Sequence, residues 1–243
     1  MCVTTVGRLM VPVLMSAFLG AVLCHSQAPP TIESELTKYK IQITPTSLRA
    51  ALKDNRAKIR GMAASELGSM RNAASVAPIM KALIAERDPE ARFDMASALV
   101  LLDSKVGNKA LTQVCDDTSL PGERRLQAAS RLVDAGDLSC LSSVTNVLGD
   151  TADPSNKISA LLILKRTRAV PASIAPEIQR TLLASLRDRA PSVRQFAADC
   201  IAALDGNAAV PALEGAISAE ADDTTRAHME DLLRVLRGGR PSH

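Results

Sequence analysis

The sequence predicts an all-α protein, a solenoid of about six stacked helical hairpins, and three observations predict it. A basic residue recurs at Arg60, Arg92, Arg125, Lys157, Arg194 and Arg226, at intervals of 32, 33, 32, 37 and 32 residues. Each heads the same helical pattern. Small or apolar residues stand at plus three and plus four, and an aliphatic one at plus seven: Ala63, Ala64, Leu67; Met95, Ala96, Leu99; Ala128, Ala129, Leu132; Ala160, Leu161, Leu164; Ala197, Ala198, Ile201. A period near 32 marks helix pairs that cannot bury their apolar face alone and therefore stack. The composition agrees, being 47% hydrophobic but only 2% aromatic with no tryptophan, which gives an aliphatic, alanine-rich core suited to close helix approach.

Residues 1–28 are set apart from the fold. Met1–Arg8 carries one positive charge, Leu9–Leu23 is apolar but short for a membrane span, and Ser26-Gln27-Ala28 offers small residues for cleavage. This is the pattern of a secretory signal peptide and predicts an exported chain, periplasmic or extracellular in a bacterial envelope, with no membrane span after cleavage. Ala21-Val22-Leu23-Cys24 resembles a bacterial lipobox, so Cys24 is the alternative processing point and would carry a lipid anchor. Cleavage removes one basic residue and no acid, and the near-neutral remainder has no general attraction for nucleic acid.

Residues 29–45 read as a tether or lead-in segment, with Ile32, Leu36, Tyr39, Ile41 and Ile43 able to pack part of it. Thr44-Pro45-Thr46 is a helix start, and the solenoid is expected over 46–237. The first (A) helix of each hairpin is expected at Leu48–Lys53, Pro78–Glu86, Lys105–Val114, Leu138–Leu148, Pro176–Leu186 and Pro211–Ala219. The second (B) helix starts three residues before each basic residue, where Pro89, Pro154 and Pro191 stand. Aspartate before proline caps the first turn, and proline lacks the N–H that would otherwise need a partner. Gly122, inserted after Pro121, accounts for the 33-residue interval, and the longer linker across 165–173 for the 37. The last repeat departs from the pattern with Glu230 at plus four, the polar face of a terminal cap. Gly238-Gly239 ends the helix, leaving 238–243 as a tail.

Cys115, Cys140 and Cys200 remain after cleavage, an odd number. In parallel, in-register A helices Cys115 and Cys140 would be offset by about seven residues, roughly 10 Å of rise. That predicts three thiols and no bridge.

Ala209-Val210-Pro211-Ala212-Leu213-Glu214 followed by Arg226, and Val76-Ala77-Pro78-Ile79-Met80-Lys81-Ala82-Leu83 followed by Asp88-Pro89-Glu90-Ala91-Arg92, resemble short HEAT repeats of the phycobilisome-lyase type. The resemblance covers about 46–237. It implies a right-handed superhelix with A helices outside and B helices lining the concave face, along which such proteins usually bind other proteins. It does not carry a lyase activity over, because no further signature of the catalytic subset is present.

Two sets of residues are candidates. The ladder Arg60, Arg92, Arg125, Lys157, Arg194 and Arg226 is read as structural, bonding helix-end carbonyls or aspartates such as Asp54, Asp88, Asp153, Asp188 and Asp222. The candidate partner-binding strip takes plus one, two, five and six of the B helices: Met62, Glu66, Phe93, Asp94, Gln127, Arg131, Ile158, Leu162, Gln195, Phe196, His228 and Asp231. An apolar centre with polar edges suits a peptide or helix, although Met62, Phe93, Ile158 and Phe196 taken singly are better read as packing. His228 is the lone histidine between the two termini, so no catalytic or metal residues and no cofactor are assigned. The expected function is a non-catalytic protein-binding scaffold or assembly factor. The alternatives are a lyase-like or cofactor-attachment protein, which needs a reactive cysteine or acid in a pocket, and a self-associating structural module.

Overall fold

The computed structural model describes residues 31–167 and 169–238. The signal-peptide, cleavage and Cys24 expectations, and all of the tail but Gly238, lie outside them. Among the described residues the chain is all-helical. A short α1 (Ile32–Lys38) precedes six hairpins: α2 (Pro45–Ala51) with α3 (Ala57–Ser69), α4 (Val76–Ala85) with α5 (Pro89–Leu101), α6 (Lys105–Asp116) with α7 (Gly122–Asp134), α8 (Leu141–Asp150) with α9 (Pro154–Lys165), α10 (Ala175–Ser185) with α11 (Pro191–Asp205), and α12 (Val210–Ala219) with α13 (Asp223–Leu236). Each A helix packs on the B helix that follows it, and α3, α5, α7, α9, α11 and α13 stack in chain order. This is an α-solenoid.

The B helices begin at the six expected residues because local chemistry fixes them. Asp88 accepts from the Ala91 N–H at 2.9 Å, Asp153 from Ser155 at 2.9 Å and Asp222 from Thr225 at 2.8 Å. The plus-three and plus-four residues of the first five B helices are at most 1% exposed, and the plus-seven residues at most 2%. Small side chains let neighbouring helices meet closely. A Cβ on Gly68 of α3 would come within 2.9 Å of Ala98 in α5, and one on Gly107 of α6 within 2.7 Å of the Val100 backbone nitrogen.

The two ends are closed differently. At the start, α1 packs on α3, with Leu36 fully buried and Ile59 1% exposed, so the segment expected as a tether or lead-in contributes a helix to the core. At the other end Met229 is buried, but Glu230 is exposed and Leu233 half-buried. Arg237 caps α13 and Gly238 follows with φ 86°, the left-handed turn that glycine adopts without strain. Pro191–Ala219 is apolar and long enough to cross a membrane, but it is α11 and α12 joined by a 3₁₀ turn at Gly206, and it supplies core to α9 and α13.

The expectation of three thiols is corrected. Cys115 and Cys140 form a disulfide with Cα atoms 6.0 Å apart. The in-register assumption fails at this joint. Gly136 turns the chain with φ 79°, Asp137 accepts from the Ser139 N–H at 3.0 Å, and α8 starts at Leu141 rather than Leu138. The end of α6 therefore runs beside the start of α8. Asn108 bonds Asp137 at 2.9 Å, Thr112 bonds Ser139 at 3.1 Å and Ser143 bonds Asp116 at 2.6 Å, pairs 27 to 29 residues apart instead of 32. Between them the two cysteines meet.

Candidate functional site

The basic ladder runs along the seam between A and B helices. Arg60 grips Glu86 with two bonds, Nε to Oε2 at 2.6 Å and Nη2 to Oε1 at 2.7 Å, while Nη1 donates to the Asp54 carbonyl at 2.8 Å. Arg194 repeats the arrangement with Glu220, at 2.7 and 2.5 Å, and with the Asp188 carbonyl at 2.8 Å. Arg92 donates to the carbonyl of Glu86 at 2.9 Å, Arg125 to that of Cys115 at 2.7 Å and Arg226 to that of Glu220 at 2.7 Å; Lys157 pairs with Asp188. The expected helix-end carbonyls and Asp188 are partners of the ladder, but the carboxylates of the other expected aspartates are not. Asp88, Asp153 and Asp222 cap helices, and the side chain of Asp54 holds Arg56. The carboxylates that face the arginines are the glutamates ending α4 and α12, which reach back into the preceding repeat. Arg60 holds the Glu86 carboxyl down at about 2 against desolvation, helped by the N–H groups of Arg87 and Asp88.

The strip residues divide. Phe93 is buried, and Met62, Ile158 and Phe196 are half-buried against the core, so these four fill space between repeats. Arg124 lies over the Phe93 ring, 4.7 Å from its centroid, and pairs with Glu90. Glu66, Asp94 and Gln195 are half-buried; burial raises the carboxyls of Glu66 and Asp94 above their ordinary values, with Glu33 and Glu90 adding to it. His228 bonds Asp199 at 2.7 Å, Asp199 also meets Lys165, and Asp231 pairs with Arg234. From Lys165 to His228 these groups tie α9, α11 and α13 together.

Phe93, Gln127, Arg131 and Leu162 come together on a groove of about 530 Å³ across α5, α7 and α9. Leu162 is 41% exposed there, and Gln127 and Arg131 are exposed. Among the described B helices Arg131 is the one cation whose side chain makes no hydrogen bond or ion pair. Ser130, Ser159 and Arg166 also line the walls, with Glu123, Leu126, Asn156 and Ile163, and all lie outside the expected strip. Ser130 occupies plus five, a position considered, and Arg166 plus nine, which is one further turn along the same face. Arg166 donates to Ser130 at 2.8 Å and pairs with Asp134 at 3.1 Å. The groove thus offers an aliphatic patch, neutral hydrogen-bonding groups, the Glu123 carboxylate bonded by Gln127, and in Arg131 a guanidinium with no hydrogen bond or ion pair among the described residues.

Cys200 is buried, and burial pushes its thiol up to about 12, so the nucleophilic thiolate is not accessible near neutral pH. Among the described residues no group of three or more His, Cys, Asp or Glu is placed to hold a metal ion.

No protein-family model matches the sequence, and no curated protein matches it. Among solved structures the chain is similar to human deoxyhypusine hydroxylase, at 18% identity and a TM-score of 0.33, over 81% of this chain and 74% of that one.

Proposed function

We propose that the chain is an exported scaffold that holds a protein or peptide segment on its B-helix face without chemistry of its own. The observation that carries this is the α5–α7–α9 groove, where Leu162 is open to solvent beside Arg131 while neighbouring cations are engaged by carboxylates of the same chain. An open aliphatic centre with a polar rim suits a bound segment. Export is supported by the Cys115–Cys140 bridge, since disulfides persist in oxidising compartments. The thiol form of the lyase-like alternative finds no support, since Cys115 is bridged and Cys200 is buried and protonated.

The test is affinity capture from envelope extracts with the wild-type chain and with an Arg131→Glu, Leu162→Glu double variant. A single defined protein should be recovered by the first and lost by the second, with unchanged circular dichroism. Equal recovery by both would remove the groove from the account. Mass spectrometry of the mature N-terminus then separates cleavage after Ala28 from lipid attachment at Cys24.

A further inference from the structure

The A-helix side holds a second feature that the scaffold reading does not use. α8 packs against both α6 and α10, but α10 and α12 stand apart and leave a cleft of about 830 Å³. Its α12 wall is smooth, with Ala212, Gly215 and Ala216 at i, i+3 and i+4. A Cβ on Gly215 would meet nothing within 4 Å, so close packing inside this chain does not account for the glycine. The α10 wall carries Leu183, 41% exposed, between Arg180 and Arg187.

The charges around this cleft are unequal. Arg194 is matched by Glu220 and Asp188 by Lys157. Arg180 and Arg187 have exposed side chains with no hydrogen bond or ion pair among the described residues. Arg180 lies in α10 and Arg187, seven residues on, in the turn just past the Leu186 cap, and both line the cleft. Two unmatched cations so placed, along an apolar trough with a floor of alanine and glycine, complement a helix with aliphatic residues on one face and carboxylates two turns apart beside them. A single-headed amphiphile would engage one guanidinium and leave the other unmatched. We infer that the α10–α12 cleft is a docking site for an acidic amphipathic helix of a partner protein, separate from the B-helix groove.

The experiment uses the whole exported chain and a small panel of fluorescein-labelled, end-capped helical peptides. Each peptide has leucines at i, i+3, i+4 and i+7 and glutamates two turns apart; a matching set has lysine for glutamate. Anisotropy titrations should show binding of the glutamate set and at least about tenfold weaker binding of the lysine set, the scale of losing two rim ion pairs and gaining repulsion. Arg180→Glu with Arg187→Glu should weaken the glutamate set by a similar factor. Gly215→Leu fills the open space above the floor and should abolish binding without lowering the melting temperature, since leucine is the better helix former. Arg131→Glu with Leu162→Glu should leave this binding unchanged, which keeps it distinguishable from groove binding. Equal affinity of the two sets, absence of binding by every peptide, or indifference to Gly215→Leu would each overturn the assignment. So would preferential binding to phosphatidylglycerol vesicles, which would make the cleft a lipid site.

Discussion

The outer joints of the solenoid and its middle joint solve the same problem with different chemistry. Between the first and second repeats, and again between the fifth and sixth, an arginine of one repeat reaches forward to a buried glutamate ending the next A helix. Between the third and fourth repeats that ion pair is missing. Arg125 turns to the Cys115 carbonyl of its own repeat, and the next repeat is held by the Cys115–Cys140 bond and by Asp116 on Ser143. The difference follows register. Where the 32-residue period is kept, a glutamate at the end of an A helix meets an arginine of the preceding repeat's B helix. Where α8 is displaced along α6, a covalent bond takes over. Ionic joints respond to pH and covalent ones to reductant, so the two kinds can be loosened separately.

The largest effect should come from the middle. Replacing Cys115 and Cys140 together by alanine, or reducing the bridge, should cost about 3 kcal/mol for the 25-residue separation it closes, measured by urea denaturation. Less than about 1 kcal/mol would mean that the hydrogen bonds around Asp116 already hold this joint. Next, Glu86→Ala leaves a largely buried guanidinium with carbonyls alone and should cost about 2 kcal/mol, and Glu220→Ala the same for Arg194. Acid should imitate these changes. The folded-state pKa of Glu86, about 2, lies below its ordinary 4.5, so its contribution is complete above 4.5 and is lost as pH falls from there through about 2. Glu220, lowered by Arg194, acts in the same direction. Hydrogen exchange at pH 3, corrected for intrinsic rates, should therefore loosen α3–α4 and α11–α12 before α6–α8, and reductant at pH 7 should reverse the order. Uniform loosening in both conditions would erase the distinction between the joints.

Much of the architecture was legible in the chain because the B helices announce themselves. Asp-Pro pairs, small residues at plus three and plus four and a spacing near 32 are local signals, and they gave six helix starts. The ladder was legible with its helix-end carbonyls and Asp188, but its other carboxylates were assigned to capping aspartates. Those have a stronger local use as caps, whereas Glu86 and Glu220 act on a residue 26 positions earlier in sequence. The disulfide was hidden because it depends on where α8 begins, which Gly136 and Asp137 decide, and a rise calculated for aligned helices cannot register that slip. In the groove, Leu162 and Arg131 were found by position, and Phe93 is buried as its packing reading had it, while the Arg124 that lies over its ring was not anticipated. Arg166 was missed because the face continues one turn beyond the positions considered.

The Cys115–Cys140 crosslink also changes how the molecule would come apart under load. Each repeat leans only on its neighbours, so peeling that starts at either end can travel inward one hairpin at a time. Midway it meets a bond that force of that size does not break, with α7 enclosed behind it. Stretched in an optical trap, the oxidised chain should reach a full length shorter than the reduced one by about 85 Å, at ~3.4 Å for each residue held inside the loop.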